Sequence, residues 1–110
     1  RLDQRLSETE KWLRQADSGN YSIQLFMTRI ADAKAVESFL KNRSGVLEFE
    51  KIYVYETKVG GSRMYSVLYN DFESLTTART TLQNLPDSLK ASKPYLRRVS
   101  ALKKDLVAAG

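Results

Sequence analysis

The chain has 110 residues, 42% of them apolar, and a net charge of +5 with an isoelectric point near 9.6. This length suits one domain, and no run of residues reaches the roughly 18 apolar positions of a membrane span. Cysteine and histidine are both absent, which excludes disulfides and removes most nucleophile–base pairs and transition-metal sites. We therefore expect no enzyme, no catalytic residue, no metal and no cofactor. The positive charge suits an anionic partner without identifying it.

An apolar stripe predicts a first helix over residues 2–16, and Gly19 is its predicted stop. Ser7 and Glu10 have the spacing of a capping box, which favours a start near Ser7. Trp12 borders the stripe, so we expect it to pack this helix onto the main body. Because the chain begins at Arg1 rather than methionine, we also expect it to be a piece of a longer protein.

The segment YSIQLFMT alternates in polarity and predicts a strand over residues 21–27. On this alternation Gln24 and Phe26 share one face and Leu25 lies on the other. Asp32 is a predicted N-cap for a helix that runs to about Asn42.

The next helix stop is predicted at Gly45, and the second half of the chain then repeats the pattern. KIYVYET at 51–57 and RMYSVLYN at 63–70 are predicted strands, joined by a hairpin loop around Gly60 and Gly61. Ser74 is predicted to cap a helix that Pro86 ends. A short strand at 95–98 and a helix from Val99 complete the chain.

The order β-α-β-β-α-β predicts an α+β fold of the split βαβ, RNP-like or ferredoxin-like kind, with additional N-terminal and C-terminal helices. Two helices cover one face of a four-stranded antiparallel sheet, whose first and third strands are central. We expect Tyr65, Val67 and Tyr69 in the core. The opposite face is expected to be open to solvent, and it carries the outward residues Ser22, Gln24, Phe26, Met64, Ser66 and Leu68.

Several segments, in this order, resemble the SPOR domains, and in particular their DamX-like subgroup, over roughly residues 8–106. They are EKWLRQ, YSIQL, YVYET, GGSRMYSVLYNDF, LTTARTTLQNLP, KPY and RRVSALKKDL. Some positions depart from the pattern of that family. Met64 and Tyr95 stand where it has tryptophans, Phe26 and Met27 where it has small polar residues, and Asn70 where it has a turn glycine.

The resemblance implies a non-catalytic peptidoglycan-binding module of the bacterial cell envelope that recognises glycan strands stripped of stem peptides at the division septum. It places this domain over residues 20–107, after a leading helix and hinge at 1–19 and before a tail at 108–110. It further implies a periplasmic location, as part of an inner-membrane protein of a Gram-negative bacterium, with division proteins as further candidate partners. We expect this fragment to contact neither nucleic acid nor membrane.

The implied glycan-binding residues lie on the open face of the sheet and are Gln24, Phe26, Met27, Met64, Ser66, Tyr95 and Arg97. Arg97 shares the side of Tyr95 on an alternating strand, and it is the first candidate for the carboxylate of muramic acid, ahead of Arg98 and Arg63. Tyr53 and Tyr55 either extend this surface or pack across strands.

Three other functions compete with glycan binding. A protein–protein module would use an exposed apolar patch made of Phe26, Met64 and Leu68. RNA binding would require an RNP1 pattern on the third strand, and no glycine follows Arg63 there. Glycan hydrolysis requires two flanking carboxylates, and the close acidic pairs in mid-chain lie in polar, loop-like segments around residues 48–50 and 71–73.

Overall fold

Four antiparallel strands form one sheet in the computed structural model, which describes residues 1–43 and 47–109. The strands are β1 (Tyr21–Arg29), β2 (Ile52–Val59), β3 (Ser62–Phe72) and β4 (Tyr95–Arg98). The helices are α1 (Leu2–Gln15), α2 (Ala33–Arg43), α3 (Leu75–Gln83), α4 (Asp87–Lys90) and α5 (Val99–Ala109). The spatial order β2-β3-β1-β4 puts the first and third strands in the centre, and the predicted split βαβ class is confirmed.

The β2–β3 hairpin turns on two glycines, as the sequence predicts. Val59 pairs with Ser62, so Gly60 and Gly61 form a two-residue loop with φ angles of +57° and +85°. Both angles lie in the left-handed region, which glycine enters without steric cost and which a type I′ turn requires. This turn fixes the register of the two strands and therefore which of their residues share a face.

The main core lies between the sheet and helices α2, α3 and α4. It buries alternate residues of the strands, including Tyr65, Val67 and Tyr69 as predicted. Ser74 caps α3, because its hydroxyl accepts a hydrogen bond from the backbone N–H of Thr77. The short helix α4 after Pro86 was not predicted.

Two predictions concern the ends of α2, namely the N-cap at Asp32 and the stop at residue 45. Asp32 is the last residue of a 3-10 turn, Ile30–Asp32, that leads into α2. Residue 45, the predicted helix stop, lies outside the described residues.

Helix α1 begins at Leu2, which confirms the start of the helix predicted over residues 2–16, and the alternative start near Ser7 that the capping box favours is wrong. Tertiary contacts hold the extra turns: the backbone N–H of Leu2 donates to the Glu37 carboxylate at 2.8 Å, and Leu2 and Leu6 pack against the main core. The helix ends at Gln15, before the predicted stop at Gly19, because Ala16 is already extended. Packing has therefore overridden the local capping signal.

Helix α1 also lies along the free edge of β2. The hydroxyl oxygen of Thr9 accepts the backbone N–H of Val54 at 2.8 Å, and the Arg5 guanidinium donates to the Ile52 carbonyl at 3.2 Å. Both backbone groups belong to an edge strand and would otherwise have no partner in the sheet. The leading helix thus occupies the position of a neighbouring strand, with side chains taking over part of the hydrogen bonding.

A second, smaller core lies on the opposite face of the sheet. The C-terminal half of α1 and the helix α5 cover this face, burying Leu68 and Tyr55 against Leu13, Val99 and Leu102. Trp12 stacks on Tyr53 and donates to the Asp71 carboxylate at 2.9 Å, as expected for a residue that packs α1 onto the body. The prediction that this whole face is open to solvent is therefore wrong.

Candidate functional site

Strand β1 contains an irregularity that decides which of its side chains reach the second face of the sheet. Gln24 pairs with Leu68, and Phe26 pairs with Val67, so one extra residue is inserted on β1 between these pairs. Directly paired residues share a face of the sheet. Phe26 therefore lies with Val67 on the face covered by α2 and α3, and Gln24 lies with Leu68 on the face covered by α5.

This bulge corrects the predicted position of Phe26. Its ring packs against the main core and meets the Phe39 ring edge-on, with 5.1 Å between the ring centroids. Phe26 therefore does not lie beside Gln24, and its predicted place in the binding surface is wrong. The alternation that placed it there fails because a bulge puts two successive residues on the same side of a strand.

Beyond the bulge the alternation of β1 is inverted, and this brings Met27 to the α5 side. Met27 pairs with Ser66, and Arg29 pairs with Met64, so both methionines lie on the face that carries Gln24. Both are partly exposed. Ser66 lies on the same face, as predicted, but it is fully buried and is not accessible to a large ligand.

Gln24 is buried, with 4% of its surface exposed, so the prediction that it stands on an open surface is wrong. Its amide oxygen accepts from the Arg97 guanidinium at 2.8 Å and from the Ser66 hydroxyl at 3.2 Å. Its amide nitrogen donates to the Tyr95 hydroxyl at 3.1 Å. A guanidinium can only donate, so the contact with Arg97 fixes the orientation of the amide. Gln24 is a positioning residue for the groups around it.

Arg97 links β4 to α5. Its guanidinium donates to the Asp105 carboxylate at 2.9 Å, and its side chain is 19% exposed. Burial, the largest single influence, lowers the pKa of Arg97. The hydrogen bond to Asp105 and the negative charge of that carboxylate oppose this effect, and the pKa of Arg97 is raised above its ordinary value. Arg97 thus has a fixed counter-ion within the chain.

Asp105 has a second partner on the sheet, because the Tyr55 hydroxyl donates to the same carboxylate oxygen at 2.9 Å. Burial, followed by the hydrogen bond and negative charge of Asp105, raises the pKa of Tyr55 to about 12. A continuous chain of hydrogen bonds therefore connects β2, α5, β4 and β1 through these side chains.

Tyr95 is the most exposed member of the network. Half of its surface is accessible, while Gln24 holds its hydroxyl. Tyr95 pairs with Gln24 across β4 and β1, so its ring belongs to the same face of the sheet. We call the part of this face formed by Met27, Met64, Tyr95 and Arg97 the outer strip. The exposed Arg29, which pairs with Met64, adjoins it.

The other arginines considered for a carboxylate lie elsewhere. Arg63 pairs with Glu56 next to the β2–β3 hairpin. The guanidinium of Arg98 lies 5.0 Å from the centroid of the Tyr21 ring. Only Arg97 of these three is hydrogen-bonded within the network of Gln24 and Tyr95.

The sequence did not reveal Asp105, and of the two alternatives left open for Tyr55 the structure shows the buried one, with 2% of its surface exposed. A signal was present, because Val99, Leu102 and Leu106 give the closing helix an apolar side that needs a surface to cover. With one face of the sheet already assigned to two helices, the second face was the remaining apolar surface of the predicted fold.

The fold and the site together define an α+β split βαβ domain whose second sheet face is partly covered by its own terminal helices. No family model matches this chain, and no curated protein matches it. Within residues 1–43 and 47–109, no helix combines the length and apolar character needed to cross a membrane. The same part of the chain has no group of three acidic, cysteine or histidine side chains arranged to hold a metal ion.

Proposed function

We propose that this chain is a non-catalytic module that binds peptidoglycan glycan strands through the outer strip, Met27, Met64, Tyr95 and Arg97. The main support for this proposal is the half-exposed Tyr95 ring, whose hydroxyl is held by Gln24 next to the Arg97 guanidinium. The resemblance to SPOR domains supports strands without stem peptides as the ligand. It also supports a role in bringing a larger envelope or division protein to the septum.

The chemistry of a sugar ring matches this strip. A pyranose has an apolar face of C–H groups and a polar rim, and a rigid tyrosine ring offers apolar area with little conformational entropy to lose. The two methionines add adaptable apolar surface. The Tyr95 hydroxyl and the Arg97 guanidinium supply hydrogen-bond donors at the edge of that surface.

The small size of the strip favours weak binding by a single domain. A neutral hydrogen bond contributes about 0.5–1.5 kcal/mol net, and the strip offers few of them. Repetition compensates for this, because a glycan strand presents many equivalent sites and clustered proteins gain from effective concentration. A septal location, in the periplasmic part of an inner-membrane protein, is compatible with such clustering and is part of the proposal.

The structure weakens the basis of the protein–protein alternative. Its predicted apolar patch combined Phe26, Met64 and Leu68, but Leu68 is fully buried and Phe26 lies on the other face. Val59 and Tyr95 are the large apolar side chains that the described part of the chain exposes by half or more. They are too few to make a contiguous apolar interface.

Co-sedimentation with purified sacculi tests the proposal. We expect retention to rise when an amidase has removed the stem peptides, and single-stranded RNA to give no retention. Tyr95→Ala should lower the affinity for treated sacculi about tenfold, because it removes roughly 1–2 kcal/mol of apolar contact.

The matched control is Val59→Ala, which truncates the other exposed large apolar side chain, at the hairpin. It should bind like the wild type. Equal retention of Tyr95→Ala and Val59→Ala would contradict the use of the outer strip, and equal retention on treated and untreated sacculi would contradict the preference for bare strands.

A further inference from the structure

The hydrogen bonds within the network restrict what a ligand must bring to the outer strip. Both acceptor positions of the Gln24 amide oxygen are filled, by Arg97 and Ser66. The Tyr95 oxygen accepts from Gln24, so its own proton is available to donate outward. Arg97 has donors only. Tyr95 and Arg97 are therefore both hydrogen-bond donors toward the ligand, and each requires an acceptor atom on it.

Besides its hydroxyl and ether oxygens, a peptidoglycan strand offers two stronger acceptors, namely the neutral acetamide carbonyl and the lactyl carboxylate of muramic acid. The charge next to Arg97 discriminates between them. Asp105 lies 2.9 Å from the guanidinium and is 36% exposed, so a ligand carboxylate at Arg97 would also approach a fixed negative charge. A neutral carbonyl meets the same donors without that repulsion.

Asp105, next to the outer strip, supplies a strong hydrogen-bond acceptor, which the strip itself lacks. Its carboxylate has more acceptor positions than the two bonds from Tyr55 and Arg97 occupy. It can therefore accept an N–H or O–H of the ligand while Tyr95 or Arg97 donates to a carbonyl. A secondary amide has this combination, one acceptor and one donor on a short planar group.

We infer that the outer strip selects an uncharged N-acetylhexosamine unit through its acetamide group, with Asp105 as a specificity-determining residue that disfavours carboxylates at Arg97. This inference rests on the proposed glycan binding. It replaces the expectation that Arg97 pairs with the carboxylate of muramic acid, because Arg97 already has a carboxylate partner within the chain, Asp105.

Ligand chemistry tests the inference on the unaltered protein. Denuded glycan strands are compared before and after conversion of their carboxylates to methyl esters. We expect affinities that agree within about twofold and depend weakly on salt. Tetra-N-acetylchitotetraose should bind at least about tenfold more tightly than cellotetraose, which is equally neutral but has no acetamide.

Asp105→Asn keeps the side-chain shape and removes the charge. It should shift the ratio of affinities at least about threefold in favour of the free-carboxylate strands over the esterified ones. The control Glu56→Gln removes the same charge beside Arg63, outside the network, and should leave the ratio unchanged.

The outcomes separate the two proposals. A wild-type affinity that falls about tenfold or more on esterification, or equal binding of the two tetrasaccharides, overturns the inference while glycan binding stands. Absence of binding to every glycan overturns the proposed function and this inference with it. The comparison of ligands on the wild type holds even if Asp105→Asn does not fold.

Discussion

At the scale of single residues, Gln24 joins three parts of the molecule through one amide group. It contacts Ser66 on β3, Tyr95 on β4 and Arg97 on the same strand. A buried amide without partners costs free energy, so this network is stabilising only because its hydrogen bonds are made. The sequence predicted that Gln24 matters on this face but not that it is buried, since residue type does not reveal which helix covers a strand.

Replacing Gln24 by alanine should affect stability as well as binding. The change leaves Arg97, Ser66 and Tyr95 without a shared partner, so we expect the free energy of unfolding to fall by about 1–3 kcal/mol. Retention on amidase-treated sacculi should fall too, because the Tyr95 ring is no longer held. Urea unfolding measures the first effect, with Gln83→Ala, an exposed site in α3, as control. Unchanged stability would show that Gln24 is not part of a stabilising network.

The pKa of Tyr55 predicts a loss of stability at high pH. Burial and Asp105 raise this pKa to about 12 in the folded protein. Between about pH 10, the ordinary tyrosine pKa, and pH 12, the unfolded chain loses the phenol proton while the folded chain keeps it. The free energy of unfolding should therefore fall as pH rises through this window, by up to about 1.4 kcal/mol per unit, after being unaffected by this group below pH 10.

Tyr55→Phe removes the titrating group and should flatten this dependence. Urea unfolding of both proteins at pH 9, 10 and 11 measures the slopes. Parallel slopes for Tyr55→Phe and the wild type would mean that the hydroxyl of Tyr55 is not buried against Asp105.

At the scale of elements, α1 provides the clearest case of packing that a sequence pattern does not reveal. Its apolar stripe was predicted, but the roles of Thr9 and Arg5 were not, because both bind backbone groups of β2 more than forty positions away. Arg5 is buried without a carboxylate partner in the described structure and donates to the carbonyls of Phe49, Glu50 and Ile52. Such long-range polar contacts leave no periodic pattern in the sequence from which they could be predicted.

Thr9→Val tests the edge contact with a change of nearly constant volume. Valine cannot accept the N–H of Val54, so a buried donor loses its partner and the free energy of unfolding should fall by about 1–3 kcal/mol. Hydrogen exchange at the Val54 amide should become faster than in the wild type. The control Ser7→Ala alters an exposed hydroxyl on the same helix. Equal protection of Val54 in both variants would contradict the proposed capping of the edge.

At the scale of the whole molecule, the sequence predicted the four strands, the helices α1, α2, α3 and α5, the class of the fold and the β3 residues of the main core. These follow from local signals, namely the glycine hairpin, the alternation of β3 and the Ser74 cap of α3. The second face was not predicted, because it depends on where two terminal helices dock. The boundary between a leading helix at 1–19 and a domain from 20 remains a prediction, although α1 contributes Leu13 to the second core.

Removing residues 1–16 should therefore change the behaviour of the whole molecule. The deletion uncovers the edge of β2 and part of the second core, and an unprotected edge strand pairs readily with another copy. We expect lower stability and concentration-dependent dimers by light scattering after size exclusion, compared with the intact chain at the same concentrations. A monomer with unchanged stability would show that α1 is an independent appendage.

The extra residue in β1 has a consequence for protein engineering. On the α5 side, the strand presents even-numbered positions up to Gln24 and odd-numbered ones from Met27 onward. A transplant of this surface onto another scaffold must therefore copy the bulge along with the side chains. In a regular strand of the same sequence, the residues on one side of the bulge position would point to the opposite face of the sheet.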